Sequence, residues 1–173
     1  MLWALLPFLF LAVILGFTAV ARDLAVVTPP AAPFQVNAVN AAAQIFIMYR
    51  DAVMAYAEQN PSITGWVALG NPPLNLSGSA ITALQAAHAN ALIGQNDTTG
   101  HDVCVWMQAP AGTVGQVVSQ LDGDLTIGTV LAGGVSWMQV GYGGTSQSIP
   151  ESCEQGNPLQ ANDIISVVGL GEN

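Results

Sequence analysis

The chain begins with a long apolar run, and further on its hydrophobic positions follow first a helical and then a strand period. Residues 1–21 contain no charged side chain, and Arg22 and Asp23 follow directly. At ~1.5 Å per residue, a helix of this length roughly matches the ~30 Å thickness of a bilayer core. The run therefore predicts a transmembrane anchor at residues 1–21.

A cleaved signal peptide is the alternative to an anchor. Ala19 and Ala21 match the small-x-small rule for a cleavage site. However, no basic residue precedes the apolar run, and the run is longer than the ~7–15 residues typical of a signal peptide. We therefore favour an uncleaved anchor, and both interpretations place the rest of the chain outside the cytoplasm.

A proline-rich segment separates the apolar run from the first amphipathic pattern. Residues 22–36 contain Pro29, Pro30 and Pro33, which favour extended polyproline geometry and predict a semi-rigid linker. A long helix is predicted from Asn37 until just before Pro61. The apolar positions at helical spacing that form its inner face are Ile45, Tyr49, Ala52, Val53 and Tyr56.

A second helix is predicted at residues 80–93. After it the hydrophobic period changes from that of a helix to that of a strand, with only a short third helix predicted within residues 112–123. Strands are predicted at residues 103–108 and 164–170, and a hairpin with a type I′ turn at Gly133 and Gly134. The last strand is apolar on both faces, so we expect it at the centre of a sheet.

These elements predict an α+β fold, with an N-terminal transmembrane helix and a long helix packed on a small antiparallel sheet, in a pilin-like arrangement. Residues 37–173 are expected to form one extracytoplasmic domain behind the anchor and the linker.

The charge balance excludes several classes of partner. The chain has 2 Lys and Arg residues, both of them arginines, against 11 Asp and Glu, which gives a formal net charge of -9. A nucleic-acid surface or an attachment to anionic lipid needs clustered basic residues. We therefore expect no nucleic-acid partner, and contact with membrane lipid only through residues 1–21.

The two cysteines, Cys104 and Cys153, are too far apart for a CxxC redox or zinc-binding motif. In an oxidising compartment they could pair, and the chain-entropy model then gives roughly 4 kcal/mol for a loop of about 50 residues. Two unpaired thiols are the alternative. A position outside the cytoplasm favours the disulfide.

No motif for catalysis, cofactor binding or metal binding stands out. His101, Asp102 and Cys104 lie close together, but a metal site would need more ligands, and a polar turn leading into a strand explains them better. The sequence predicts that the protein is not an enzyme and has neither cofactor nor metal. The candidate contacts with a partner protein are the aromatic residues Trp66, Trp137 and Tyr142, for which core or turn packing is the alternative.

Two stretches carry a resemblance to a known family. "IMYRDAVMAYAEQNPSITGWV" follows the apolar segment and joins a Tyr-Arg-x-Ala-Val helix to Asn-Pro and a glycine. "APAGTVGQVVSQLDGDLTIGTVLAGG" contains a short helix followed by a strand and a hairpin. In these features the chain resembles the PilM family of small bacterial inner-membrane proteins, which are associated with type IVb thin pili and conjugative transfer. The matching positions of the first stretch are Tyr49, Arg50, Ala52, Val53, Ala57, Asn60, Pro61 and Gly65.

The resemblance implies a single-pass protein of the bacterial inner membrane with most of its chain in the periplasm. Its expected role is in the assembly apparatus of a type IV or conjugative pilus, through contacts with other pilus-assembly proteins or with copies of itself. A pilin-like filament subunit and a secreted binding domain released by signal peptidase are the alternatives.

Overall fold

The structure is a computed structural model that describes residues 33–70, 73–96, 100–139, 144–154, 156 and 159–171. The predicted anchor at residues 1–21 and most of the predicted linker lie outside these ranges. Among the helices within them, none is both long enough and apolar enough to cross a membrane.

The first helix, α1 (Pro33–Gln59), has 27 residues. It begins inside the predicted linker, because a proline is tolerated in the first turn of a helix, where its missing N–H has no partner to lose. Asn60 and Pro61 follow its end, as predicted. Tyr49 and Val53 of the predicted inner face are fully buried, whereas the other three predicted positions lie half-buried beside them.

The remaining described elements form an antiparallel β-sheet with two short α-helices and a 3₁₀-helix. In chain order they are β1 (Gly65–Trp66), α2 (Gly78–Ala86), β2 (Asn90–Gln95), β3 (Gly100–Met107), α3 (Thr113–Gln120), β4 (Ile127–Val130), β5 (Ser136–Gln139), β6 (Ser146–Ser148), a 3₁₀-helix (Glu151–Cys153) and β7 (Ile164–Gly171). The described strands make one sheet in the order β1-β2-β3-β7-β4-β5-β6. All of the pairs within it are antiparallel.

The predicted α+β class and antiparallel sheet are confirmed. The central position of the last strand is also confirmed, because β7 pairs with both β3 and β4.

The predicted hairpin is also present, as β4 and β5, but its turn differs. Leu131 accepts a hydrogen bond from the N–H of Gly134, at 3.1 Å, so Ala132 and Gly133 are the central residues. Gly133 has φ +97°, which is the geometry of a type II turn and not of type I′.

The predicted second helix is correct only in its first half. α2 starts after Ser77, whose hydroxyl caps it by accepting from the N–H of Ala80 at 3.3 Å. It ends at Ala86, and His88 turns the chain with a φ of +49°. The chain then enters β2, where pairing with β3 and burial on both faces of the sheet override the helix propensity of an alanine-rich segment.

Two separate cores form on the two faces of the sheet. The helix face packs against the helices through alternate strand residues such as Val103, Val105 and Met107 of β3. The opposite face, which we call the flap face, is covered by residues 144–154, which we call the flap. Its buried side chains are Leu92, Cys104, Trp106, Val130, Trp137, Ile149, Cys153 and Ile165.

Candidate protein-docking surface

A disulfide between Cys104 and Cys153 fastens the flap to β3. The two residues are 49 positions apart in sequence, their Cα atoms are 6.1 Å apart, and both are fully buried. The hydroxyl of Ser152 adds a hydrogen bond to the Asp102 carboxylate at 2.7 Å. Around the disulfide, the described part of the flap face is therefore a closed core.

The three predicted contact aromatics have different surroundings. Trp66 is 49% exposed on the edge strand β1. Trp137 is not an exposed residue: only 3% of it is accessible, because its ring packs into the core of the flap face. Tyr142 lies outside the described residues. Of the three, Trp66 is the one whose ring the described structure leaves open to solvent.

Trp66 rests on a second tryptophan. Its backbone is paired with Leu92, a flap-face residue, so its side chain lies on the flap face as well. The Trp66 and Trp106 rings meet edge to face, with centroids 5.7 Å apart and planes at 65°. Trp106 is buried, and its indole Nε1 has no hydrogen-bond partner among the residues that the structure describes. This packing holds the exposed Trp66 ring in place against the buried ring of Trp106.

The backbone of β1 has an open side. Val67 donates to the carbonyl of Ala91 at 3.0 Å, so the pair Val67–Ala91 is a hydrogen-bonded one. In an antiparallel ladder such pairs alternate with pairs whose N–H and C=O point away from the partner strand. The N–H and C=O groups of Trp66 and Ala68 therefore point away from β2, towards the outside of the sheet. Residues 64–68, which we call the β1 edge, form one end of the described sheet.

A groove of about 560 Å³ runs beside the β1 edge. Tyr56, Trp66, Val67 and Pro73 supply apolar surface, and the amides of Gln59 and Asn60 supply donors and acceptors. The same two amides also line a neighbouring depression of about 440 Å³ with residues 61–63. The C-terminal end of α1 and the β1 edge thus create a concave surface of the kind that binds an extended chain.

The charged groups are almost all acidic. Arg50 is the only Lys or Arg beyond the N-terminal Arg22. Its Nη2 donates to Asp124 at 2.6 Å, and its Nε donates to the Ser166 hydroxyl at 3.1 Å. The Arg50 side chain is 13% exposed, so it offers little positive charge to the surface. Nearly all the charge that a partner can meet on this domain is negative.

Two carboxyl groups have shifted pKa values. Burial opposes ionisation of Asp124, but hydrogen bonds from Thr126 and the charge of Arg50 outweigh burial and lower its pKa. For Asp163 the balance is reversed: burial raises the pKa, and a hydrogen bond from the Gln160 N–H offsets this only in part. Burial also raises the pKa of the Tyr49 hydroxyl. Each of these groups lies in the fold away from the groove, so they bear on stability.

The residues with possible reactive chemistry are held in structural roles. Cys104 is bound in the disulfide and cannot act as a nucleophile in this state. His101 and Asp102 are neighbours on β3 and so point to opposite faces of the sheet. Among the described residues no group of three or more His, Cys, Asp or Glu side chains is placed to hold a metal ion.

These features define a small α+β protein, with helices on one face of an antiparallel sheet and a disulfide-held flap on the other. The model of the PilM family matches residues 10–161, which is most of the chain, so the chain belongs to the PilM family. Membership suggests a pilus-related function.

A crystal structure assigned to PilM of Escherichia coli B7A is similar to this chain at 18% sequence identity and a TM-score of 0.49, covering 82% of this chain and 100% of that one. No protein with a curated function shows a significant match.

Sequence reasoning proposed Trp66 as a candidate contact residue but missed the groove beside it. The groove combines the end of α1 with the β1 edge and Pro73, and nothing in the local pattern shows that these segments meet. The two-residue strand β1 is also too short to show the alternation of hydrophobic and polar residues that predicts a strand. The one local signal was Trp66 itself, a large apolar residue between a turn and a proline-containing loop.

Proposed function

We propose that this protein is a membrane-anchored component of a type IV or conjugative pilus assembly apparatus that acts through protein–protein contacts and not through catalysis. Residues 1–21 hold it in the inner membrane, and the domain of residues 37–173 lies in the periplasm and binds other assembly proteins. The observation that carries the proposal is the PilM family match over residues 10–161, because it includes part of the apolar segment as well as the folded domain.

Two features of the chain support a location of the folded domain outside the cytoplasm. The buried disulfide needs an oxidising compartment to form and persist. The segment of residues 1–21 is long enough and apolar enough by sequence to span a bilayer.

Deletion of the gene tests the pilus role. We expect the deletion strain to lose assembled pili, counted by electron microscopy and in sheared fractions, and plasmid-borne wild-type chain to restore them. An unchanged number of pili in the deletion strain would contradict the proposal.

Cell fractionation with N-terminal sequencing tests the anchored form against its two alternatives. We expect the intact chain in the alkali-resistant membrane fraction. Recovery in sheared filaments in amounts comparable to the pilin would favour a filament subunit. A soluble chain beginning at Arg22 would favour a secreted binding domain released by signal peptidase.

A further inference from the structure

Three independent features meet at the β1 edge: outward-facing backbone groups, an exposed tryptophan and a groove. We propose that the β1 edge binds an extended, positively charged segment of another pilus-assembly protein, which adds to the sheet as a strand next to β1. The identity of the partner as an assembly protein rests on the proposed function, whereas the strand geometry and the charge of the segment rest on the structure.

The backbone provides the first part of the argument. β1 has two residues, whereas its neighbour β2 has six, so the sheet ends in a very short strand. The N–H and C=O groups of Trp66 and Ala68 point outwards, where an incoming strand can pair with them. The opposite edge, β6, has the sequence Ser-Gln-Ser, with three exposed polar side chains and no aromatic residue to anchor a partner.

Trp66 provides the second part. Rigid, exposed aromatic rings are frequent anchors at interfaces, since they bury much surface for little loss of side-chain entropy. Packing against Trp106 already fixes the Trp66 ring. A bound segment that covers the exposed part of the Trp66 ring therefore buries apolar surface without first having to order it.

Charge identifies the kind of partner. An arginine or lysine of the incoming segment can stack on the Trp66 ring, and Glu58 is exposed on α1 next to the groove residue Gln59. Within the described ranges a basic segment meets no competing Lys or Arg side chain here, because Arg50 is bound to Asp124. A second copy of the chain does not fit as the occupant. It has no lysine, and it would bring a second strongly acidic domain to the same site.

The binding test uses the full-length chain in neutral detergent micelles and a short peptide of alternating arginine and valine. We expect saturable binding that weakens with added salt, and at least about tenfold weaker binding of the matching glutamate–valine peptide. Methylation of the peptide nitrogens on both edges of the arginine–valine peptide should abolish binding, because neither edge can then donate to β1. Equal binding of the two charge types, or unchanged binding after methylation, would overturn the proposal.

Ala68→Pro separates pairing from folding. The N–H of Ala68 points away from β2, so proline there removes an outward donor and leaves the bond from Val67 to Ala91 intact. We expect an unchanged melting temperature and a loss of affinity for the arginine–valine peptide of about tenfold or more. Trp66→Ala should lower the affinity similarly, whereas Met138→Ala, at a residue 40% exposed on β5, serves as the matched control and should bind normally.

The same variants in cells distinguish this inference from the proposed function. If both hold, gene deletion and Ala68→Pro each abolish pili and Met138→Ala does not. If the deletion abolishes pili but Ala68→Pro supports a normal number, the proposed function stands and the docking inference fails. If the deletion leaves pili unchanged, the pilus role fails regardless of what the peptide assay gives. A crosslink from position 66 to a second copy of this chain would also overturn the inference.

Discussion

At the scale of single residues, Arg50 joins three parts of the fold. It extends from α1 and donates to Asp124, to Thr126 and to Ser166 of β7. Arg50→Met leaves the half-buried Asp124 carboxylate and the buried Ser166 hydroxyl without this donor. We expect the free energy of unfolding, measured by urea denaturation near neutral pH, to fall by about 2–3 kcal/mol.

Asp51 supplies the matched control for Arg50. Its carboxylate is 3.7 Å from the guanidinium, but its side chain is 63% exposed, so the pair is screened by water. Asp51→Asn should change stability by less than about 0.5 kcal/mol. Equal losses in the two variants would show that Arg50 acts by general charge and not through its buried hydrogen bonds.

The lowered pKa of Asp124 predicts the pH dependence of this contact. A carboxyl group with a lower pKa in the folded than in the unfolded state stabilises the fold above the unfolded value of about 4, and this contribution is lost as the pH falls through the folded value. Wild type should therefore be more stable than Asp124→Asn near neutral pH, and the difference should shrink towards about pH 3. Urea denaturation at both pH values measures it. A difference that grows on acidification would contradict the assignment.

At the scale of elements, the flap depends on the disulfide. Replacing both cysteines by alanine removes a cross-link that closes a 49-residue separation. The chain-entropy model predicts a loss of about 4 kcal/mol in the free energy of unfolding. Urea denaturation with and without a thiol reductant tests this. Reductant should destabilise the wild-type protein and leave the double variant unchanged, and an effect on the double variant would mean that the reductant acts elsewhere.

The flap also depends on close packing against β2. A Cβ at Gly94 would collide with the side chain and the backbone carbonyl of Ser152, so the 3₁₀-helix could not keep its position. Gly94→Ala should lower the free energy of unfolding by about 1–3 kcal/mol, the usual range for overpacking. The matched control is Gly115→Ala in α3, where nothing lies within 4 Å of the added methyl group. It should stabilise the helix by up to about 1 kcal/mol, and a loss at both sites would exclude the steric explanation.

Elements whose hydrophobic residues recur with a clear helical or strand period were predictable from sequence. Elements whose conformation depends on contacts with distant parts of the chain were not. The buried stripe of α1 and the doubly apolar β7 follow local patterns that the fold preserves. Residues 90–93 end an alanine-rich stretch that is compatible with a helix, and only their pairing with β3 makes them a strand. Trp137 and Met138 point to opposite faces, and the burial of Trp137 follows from the flap, which closes over one face through a distant cysteine.

At the scale of the whole molecule, the proposed function separates a tether from a binding domain. If residues 1–21 act only as an anchor, their sequence matters less than their length and apolarity. An unrelated transmembrane helix of the same length, in the same orientation, should therefore restore pili to a deletion strain. A cleavable signal peptide in its place should export the same domain without an anchor and should fail. Pilus counts and a fractionation blot measure both. Rescue by the released domain would show that the proposed anchor is dispensable, and failure of both chimaeras would show that residues 1–21 make specific contacts of their own.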